Sequence, residues 1–247
     1  MEKRISNWLV PIMIISIWVF QEIAARTGGF IANLFTYDRI DPYNIFAWIS
    51  VHHIVQALIA LVAIGILIKV KNLDFDLGLG NVKIGLRHTF IFTIIVSVYV
   101  LVSYIIGHFI GTIEVYDFPL NAKNVVGTLG FQLLLSGTSE EILFRALPIT
   151  LLVYSFNTSK YVKLLKLQIP LETIIVALLF SIAHISWNIY PFSINANIVQ
   201  IVISFIYGIF YGVAYQKSKC VVYPMIMHSI SNFLMVGTGY IFAIIYR

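Results

Sequence analysis

Two adjacent carboxylates lie in the middle of a long apolar run, in the segment Ser139-Glu140-Glu141-Ile142-Leu143-Phe144-Arg145. On a helix, Arg145 comes one turn after Glu141 on the same face, which predicts an ion pair between the two side chains. Glu140 is turned about 100° away from Glu141 and is free to face a different group. An ionisable side chain inside an apolar span indicates function by default, and Glu140 is the candidate for a general base.

Two later apolar runs carry further polar residues. His184 ends the segment Phe180-Ser181-Ile182-Ala183-His184, and His228 and Asn232 are four residues apart, so these two share a helix face. A carboxylate, two imidazoles and an amide are enough to activate a water molecule and to hold an oxyanion. Because the Asn232 amide can donate a hydrogen bond but cannot act as a base, it is a candidate for the oxyanion. The residues therefore predict hydrolytic chemistry.

Taken in order, these three motifs resemble those of the CPBP family, also called Abi or CAAX-protease and bacteriocin-processing proteins. The family patterns are Glu-Glu-x-x-x-Arg, Phe-x-x-x-His and His-x-x-x-Asn, and here they are Glu140–Arg145, Phe180–His184 and His228–Asn232. The resemblance covers roughly residues 125–245. Ala146 departs from the pattern, because many relatives have glycine after the arginine.

The resemblance implies an intramembrane endopeptidase whose catalyst is a glutamate and which needs no metal or other cofactor. It implies four catalytic residues, the first two to activate water and the last two to stabilise the oxyanion: Glu140, His184, His228 and Asn232. Glu141 and Arg145 would support the site. The substrate would be a peptide or small membrane protein in the lipid bilayer, such as a bacteriocin or pheromone-type precursor, and self-immunity is a further role that the family suggests.

Two other hypotheses stay open on the residues alone. The first is a zinc-dependent membrane protease with Glu140, His184 and His228 as ligands, since one carboxylate and two histidines form a known catalytic set. The second is a non-enzymatic immunity or regulatory protein that keeps the motifs for packing. Glu141 and Arg145 taken alone also fit an ion pair that only orients helices.

The composition places these residues in a membrane protein. Of 247 residues, 60% are apolar and 11% are charged, and the mean hydropathy is +0.91. Soluble domains have roughly 25% charged residues, and disordered chains have low hydrophobicity, so both classes are excluded. The single cysteine, Cys220, excludes an internal disulfide and a cysteine-based zinc site. The net charge of +5 is attributed to membrane topology and not to nucleic-acid binding.

Seven apolar runs predict an all-α, polytopic transmembrane helical bundle, or eight spans if one more is present. A crossing helix needs about 20 mostly apolar residues, and the runs are Trp8–Ala24, Ile45–Ile68, Thr89–Ile110, Val125–Phe156, Leu171–Trp187, Ile194–Tyr215 and Val221–Ile245. The fourth run is too long for one straight span, and Pro148 is expected to kink it. Residues 1–124 would form helices without motifs and residues 125–247 the catalytic core, within one integral membrane domain.

Basic residues between the runs predict the orientation. They lie before the first span and in alternate loops: Lys3, Arg4, Lys69, Lys71, Lys83, Arg87, Lys160, Lys163, Lys166, Lys217 and Lys219. The positive-inside rule then puts the N-terminus in the cytoplasm and the C-terminus outside. We expect a multi-pass protein of the cell membrane. The polar stretch from Lys69 to Arg87 is predicted to be a cytoplasmic loop. In the other loops acidic residues accompany the basic ones: Arg26, Arg39 and Lys123, with Asp38, Asp41, Glu114 and Asp117. The remaining intramembrane polar residues are predicted to pack or to lie at an interface: His52, His53, Gln56 and His108.

Overall fold

The computed structural model describes residues 9–113, 116, 118–156, 160–164, 167–188 and 190–246, and these form a helical bundle. In chain order the helices are α1 (Leu9–Ala32), α2 (Ala47–Lys71), α3 (Val82–Ile110), α4 (Ala122–Phe131), α5 (Gly137–Glu141), α6 (Leu147–Phe156), α7 (Leu171–Ile182), α8 (Ile198–Ser218) and α9 (Val222–Ile245). Five of the described helices are long and apolar enough to cross a membrane, namely α1, α2, α3, α8 and α9. The predicted all-α membrane bundle is confirmed, and its count of seven or eight crossings stays a prediction.

Some residues used to predict the orientation lie outside the described residues: Lys3, Arg4, Glu114, Asp117 and Lys166. Other basic residues that were used for this prediction lie at one end of the bundle, where residues 72–81 pack against the turn between α8 and α9. There the Asn81 amide donates to the Ser218 carbonyl at 2.6 Å, and the Val221 amide donates to the Asp76 carbonyl at 3.0 Å. The loop is shorter in the structure than the predicted residues 69–87, because α2 extends to residue 71 and α3 begins at residue 82.

The fourth apolar run forms one continuous helical segment, residues 122–156, which we call the central helix. Two π turns, Gln132–Ser136 and Ile142–Ala146, separate α4, α5 and α6. Between them, the hydroxyls of Thr138 and Ser139 donate back to the carbonyls four residues earlier, each at 2.5 Å. Such side-chain bonds compete with the main-chain ladder, and π turns shift the faces of a helix, often at functional sites.

Pro148 is the second residue of α6, directly after the second π turn. It lacks the amide hydrogen that would bond to the Phe144 carbonyl in a regular α-helix. That carbonyl accepts a hydrogen bond from Nη1 of Arg145 at 3.0 Å instead. The irregularity expected near Pro148 is therefore a π turn, and the arginine side chain satisfies the carbonyl that the proline leaves.

The fifth run is a shorter helix than predicted. A hairpin of β1 (Tyr161–Leu164) and β2 (Leu167–Pro170) leads into α7, which ends at Ile182 and not at Trp187. The chain then forms an antiparallel hairpin of β3 (Ser186–Asn188) and β4 (Ser193–Asn195). Ile194 therefore lies in a strand, and the helix predicted for the sixth run does not begin there. Alternating Ser and Asn residues around a proline favour a hairpin over a helix, and the Asn197 side chain caps the start of α8 by accepting from the Gln200 amide at 3.1 Å.

The central helix lies between two groups of helices. On one side, α1 and α2 pack against each other and against the central helix, with Ile17, Ile64 and Leu147 in the shared core. On the other side, α3 and α8 pack with α9, around a second core that includes Phe92 and Met227. Side chains on different faces of the central helix therefore meet different partners.

Candidate active site

Glu141 is fully enclosed, and so is its partner Arg145. The carboxylate Oε2 lies 3.3 Å from Nε of Arg145, so the ion pair predicted from the spacing is present. The other oxygen, Oε1, accepts a hydrogen bond of 2.8 Å from Nδ1 of His228 on α9. The guanidinium of Arg145 also lies over the Phe180 ring, 4.1 Å from its centre. These contacts tie the central helix to α7 and α9 and leave Glu141 no open face.

Glu140 faces the other way, into a cavity of about 300 Å³ between α1, α2, the central helix and the end of α7. Its side chain is 19% exposed, whereas that of Glu141 is 0% exposed. Oε1 lies 3.6 Å from Nε2 of His53, and Oε2 lies 3.8 Å from Nε2 of His228. Both distances exceed a normal hydrogen bond. The carboxylate is thus held between two imidazoles and stays accessible from the cavity.

Hydrogen bonds fix the tautomers of both imidazoles. A carboxylate only accepts hydrogen bonds, so Nδ1 of His228 carries the hydrogen that it donates to Glu141. The Ser139 hydroxyl donates its hydrogen to the Leu135 carbonyl at 2.5 Å, so its oxygen accepts from Nδ1 of His53 at 2.8 Å. In both rings the nitrogen facing Glu140 is therefore Nε2, with its lone pair in the neutral form.

His184 lies just beyond the end of α7 and lines the same cavity as Glu140. Its Nδ1 donates to the Phe180 carbonyl at 2.8 Å, which again leaves Nε2 free. Among the described residues, no hydrogen bond or ion pair joins His184 directly to Glu140. The pairing of Glu140 with His184 around a water molecule stays a prediction, and the shared cavity provides the space for it.

Asn232 and His228 line a second cavity, of about 340 Å³, between α3, α8 and α9. One amide hydrogen of Asn232 is donated to the Ser136 hydroxyl at 3.0 Å, and the other has no acceptor among the residues that the structure describes. Phe180 and His184 line both cavities, so the two cavities adjoin at these residues. The structure therefore brings the four predicted catalytic residues to one region of the bundle.

His53 was missed, because the sequence favoured packing or an interface for it. His53 is buried, as packing predicts, but the sequence did not predict that its Nε2 would lie as near to Glu140 as that of His228. Gln21 of α1 was also missed, and its Nε2 donates to the Leu143 carbonyl in the second π turn at 3.3 Å. The available signal was the grouping of His52, His53 and Gln56 in one apolar run.

The structure also bears on the alternative of a zinc site. Among the residues it describes, no group of three His, Cys, Asp or Glu side chains is arranged to hold a metal ion. Glu140, His184 and His228 are therefore not gathered as a ligand set in this arrangement.

Residues 122–234 match the family model described as "Type II CAAX prenyl endopeptidase Rce1-like". The matched segment begins with α4 and contains all three motifs. No curated protein and no solved structure matches the chain. The match confirms the resemblance to the CPBP family and supports a membrane endopeptidase of the hydrolase class.

Proposed function

We propose that this chain, Rce1-like over residues 122–234, is an intramembrane endopeptidase that hydrolyses peptide bonds with a water molecule activated by Glu140. One observation carries the proposal. The Glu140 carboxylate lies between Nε2 of His53 and Nε2 of His228 and opens into a cavity inside a membrane bundle. A carboxylate at such a position can take a proton and give it back, which is the task of a general base.

In the proposed reaction, Glu140 first accepts a proton and later returns it. A water molecule in the cavity gives a proton to the carboxylate and attacks the carbonyl carbon of the substrate. The tetrahedral intermediate then collapses, and Glu140 passes the proton to the leaving nitrogen. His184 lines the same cavity with Nε2 free, and we assign it to orienting the water.

The oxyanion is assigned to His228 and Asn232. The Nδ1 bond to Glu141 fixes the His228 ring, and its Nε2 can donate to the oxyanion when that nitrogen carries a hydrogen. Asn232 offers the amide hydrogen that Ser136 does not use. Preorganised donors of this kind stabilise the charge that develops on the substrate oxygen.

The proposed substrate is a membrane-associated peptide or small membrane protein, cleaved near the cytoplasmic face of the cell membrane. Precursors of bacteriocin or pheromone-type peptides fit this description, and self-immunity is a role consistent with it. The name of the matched family adds prenylated CAAX peptides as a further class to test. The proposed orientation, with a cytoplasmic N-terminus, is supported by the basic residues at the bundle end formed by residues 72–81 and the α8–α9 turn: Lys69, Lys71, Lys83, Arg87, Lys217 and Lys219.

The test compares the membrane and secreted peptides of cells that carry the wild type, Glu140→Gln or Glu172→Gln, by mass spectrometry at matched protein levels. Glu172 is the matched control, because it is a fully buried glutamate that lines neither of the two cavities and accepts from Gln216 at 2.8 Å. We expect a peptide that matures with the wild type and with Glu172→Gln but not with Glu140→Gln.

Identical peptide profiles, with the cellular phenotype preserved in Glu140→Gln, would overturn the proposal and favour a non-enzymatic protein. The same membranes also test the zinc alternative. Loss of cleavage on chelation, with recovery on adding zinc, would favour a metal enzyme.

A further inference from the structure

We propose that His53, on α2, is a positioning residue for Glu140, so that α2 completes the active site from outside the family-matched segment. This inference rests on the proposed function. Nε2 of His53 lies 3.6 Å from Oε1 of Glu140, and the matched segment begins only at residue 122. Neither the motifs nor the family match accounts for a histidine at this place.

The His53 ring is held in one orientation. Its side chain is 6% exposed, and Phe131 packs against it in an edge-on contact, with the ring centres 5.0 Å apart. Nδ1 donates to the Ser139 hydroxyl, which in turn donates to the Leu135 carbonyl. Ser139 directly precedes Glu140 in the chain. The same turn of the central helix therefore anchors one nitrogen of the ring and carries the carboxylate that faces the other.

The chemistry of this contact depends on a proton. In the neutral ring Nε2 of His53 has a lone pair, and the ionised oxygen Oε1 of Glu140 has no hydrogen to donate. These two atoms therefore attract each other only when a proton lies between them. During hydrolysis that proton is the one Glu140 takes from water. A proton shared between Oε1 of Glu140 and Nε2 of His53 holds the carboxyl group in place, and Oε2 then faces His228. His53 thus acts through Glu140 and not on the substrate.

His52 provides a matched control. It is the neighbouring residue of the same type, but its ring stacks on Trp48, with the centres 5.2 Å apart. His52 also lines the Glu140 cavity, but among the described residues no ion pair or hydrogen bond joins it to Glu140. A general effect of losing a histidine from α2 would appear at both positions, whereas positioning of Glu140 would appear only at His53.

The test measures kcat and KM of purified, detergent-solubilised protein for wild type, His53→Asn, His53→Gln and His52→Asn. The probe is a synthetic, internally quenched copy of the peptide that matures in wild-type cells. Asparagine can keep the bond to Ser139 but has no group at the Nε2 position, whereas glutamine places an amide there. We expect His53→Asn to lower kcat about 10–100-fold, with KM and the melting temperature nearly unchanged. His53→Gln should recover part of the loss, and His52→Asn should lower kcat far less than His53→Asn does.

Wild-type kcat in His53→Asn would overturn the inference while leaving the proposed function standing. Equal losses in His53→Asn and His53→Gln that follow a lower melting temperature would also overturn it, because they would show a purely structural role. If the wild type itself does not cleave the peptide, the proposed function fails and this inference fails with it.

Discussion

Two neighbouring residues of the central helix, Glu140 and Glu141, occupy contrasting environments. The face that carries Glu141 is closed, because Arg145 and His228 use both of its oxygens. The face that carries Glu140 is open to a cavity, and its nearest partners are histidine nitrogens at 3.6 and 3.8 Å. One carboxylate is thus committed to holding the helices together, while the other keeps its oxygens available.

The difference shows how one turn of helix can separate structure from chemistry. Adjacent positions are turned about 100° apart, and the two helix groups on either side supply different partners. A buried ion pair costs solvation energy, and the contacts of Glu141 with Arg145 and His228 offset part of that cost. Glu140 has no direct hydrogen bond among the described residues. A base that exchanges a proton with water needs such an unoccupied oxygen. The following predictions test this division, from the largest expected effect to the smallest.

The largest effect on stability is expected from Glu141→Gln. The change leaves Arg145 buried without a counter-charge, which costs about 3–5 kcal/mol. The control is Glu22→Gln in α1, which loses a pair with Arg26 of the same spacing and the same 3.3 Å distance, but in an exposed position. We expect that control to cost less than about 1 kcal/mol. Thermal unfolding in detergent compares the two, and equal melting temperatures would contradict the assigned role of Glu141.

A smaller effect, on catalysis, is expected from Asn232→Ala. Removing one oxyanion donor lowers kcat about 10²-fold, and the fold should change little because, within the described part of the chain, the Asn232 side chain bonds only to Ser136. Ser136→Ala is the control, since it removes that bond but keeps the amide. Steady-state cleavage kinetics decide the matter: the same loss of kcat in both variants would show that Asn232 acts only through its contact with Ser136.

Gly137→Ala tests how closely the closed face is packed. A Cβ at this position would lie 2.8 Å from the Ser229 amide nitrogen and closer still to the Met225 carbonyl, so α9 would have to move. Overpacking of this kind costs about 1–3 kcal/mol. Gly130→Ala is the control, because a Cβ there meets nothing within 4 Å. If both variants unfold at the same temperature, the close approach of α5 and α9 is wrong.

The smallest effect is expected from Asp76→Asn, in the loop far from either glutamate. Burial raises the pKa of the Asp76 carboxyl, and the Lys219 ammonium, 3.7 Å away, only partly opposes this. Because the carboxyl pKa of Asp76 is higher in the folded state than in the unfolded state, the ionised carboxylate destabilises the fold at a pH above the folded-state pKa. This destabilisation disappears as the pH falls below the unfolded-state pKa. The variant should therefore be as stable as the wild type or slightly more so at pH 7, and this advantage should shrink near pH 4. Melting temperatures at the two pH values test the sign.

The sequence was sufficient for the membrane class and for the residues with distinctive spacing. Glu141 and Arg145 pair because a helix puts residues four apart on one face, and that relation survives inside an irregular helix. The end of α7 could not be predicted, because an apolar run such as Leu171–Trp187 fits a longer helix equally well. In the structure α7 ends at Ile182, His184 lies in a turn, and the Ser and Asn residues that follow form a hairpin.

His53 was out of reach for a different physical reason. A histidine in an apolar helix is usually a packing residue, and the proximity of His53 to Glu140 depends on how α2 lies against the central helix. No local pattern encodes a contact between residues 87 positions apart. The sequence likewise predicted an irregularity only near Pro148, and not the first π turn at Gln132–Ser136.

The most direct test of the division between the two carboxylates is the cleavage rate of purified Glu140→Gln, measured on the peptide that matures in wild-type cells. The account predicts a loss of about 10³-fold or more in kcat, with a melting temperature equal to that of the wild type. A folded Glu140→Gln protein that cleaves at the wild-type rate would contradict the assignment of Glu140 as the general base.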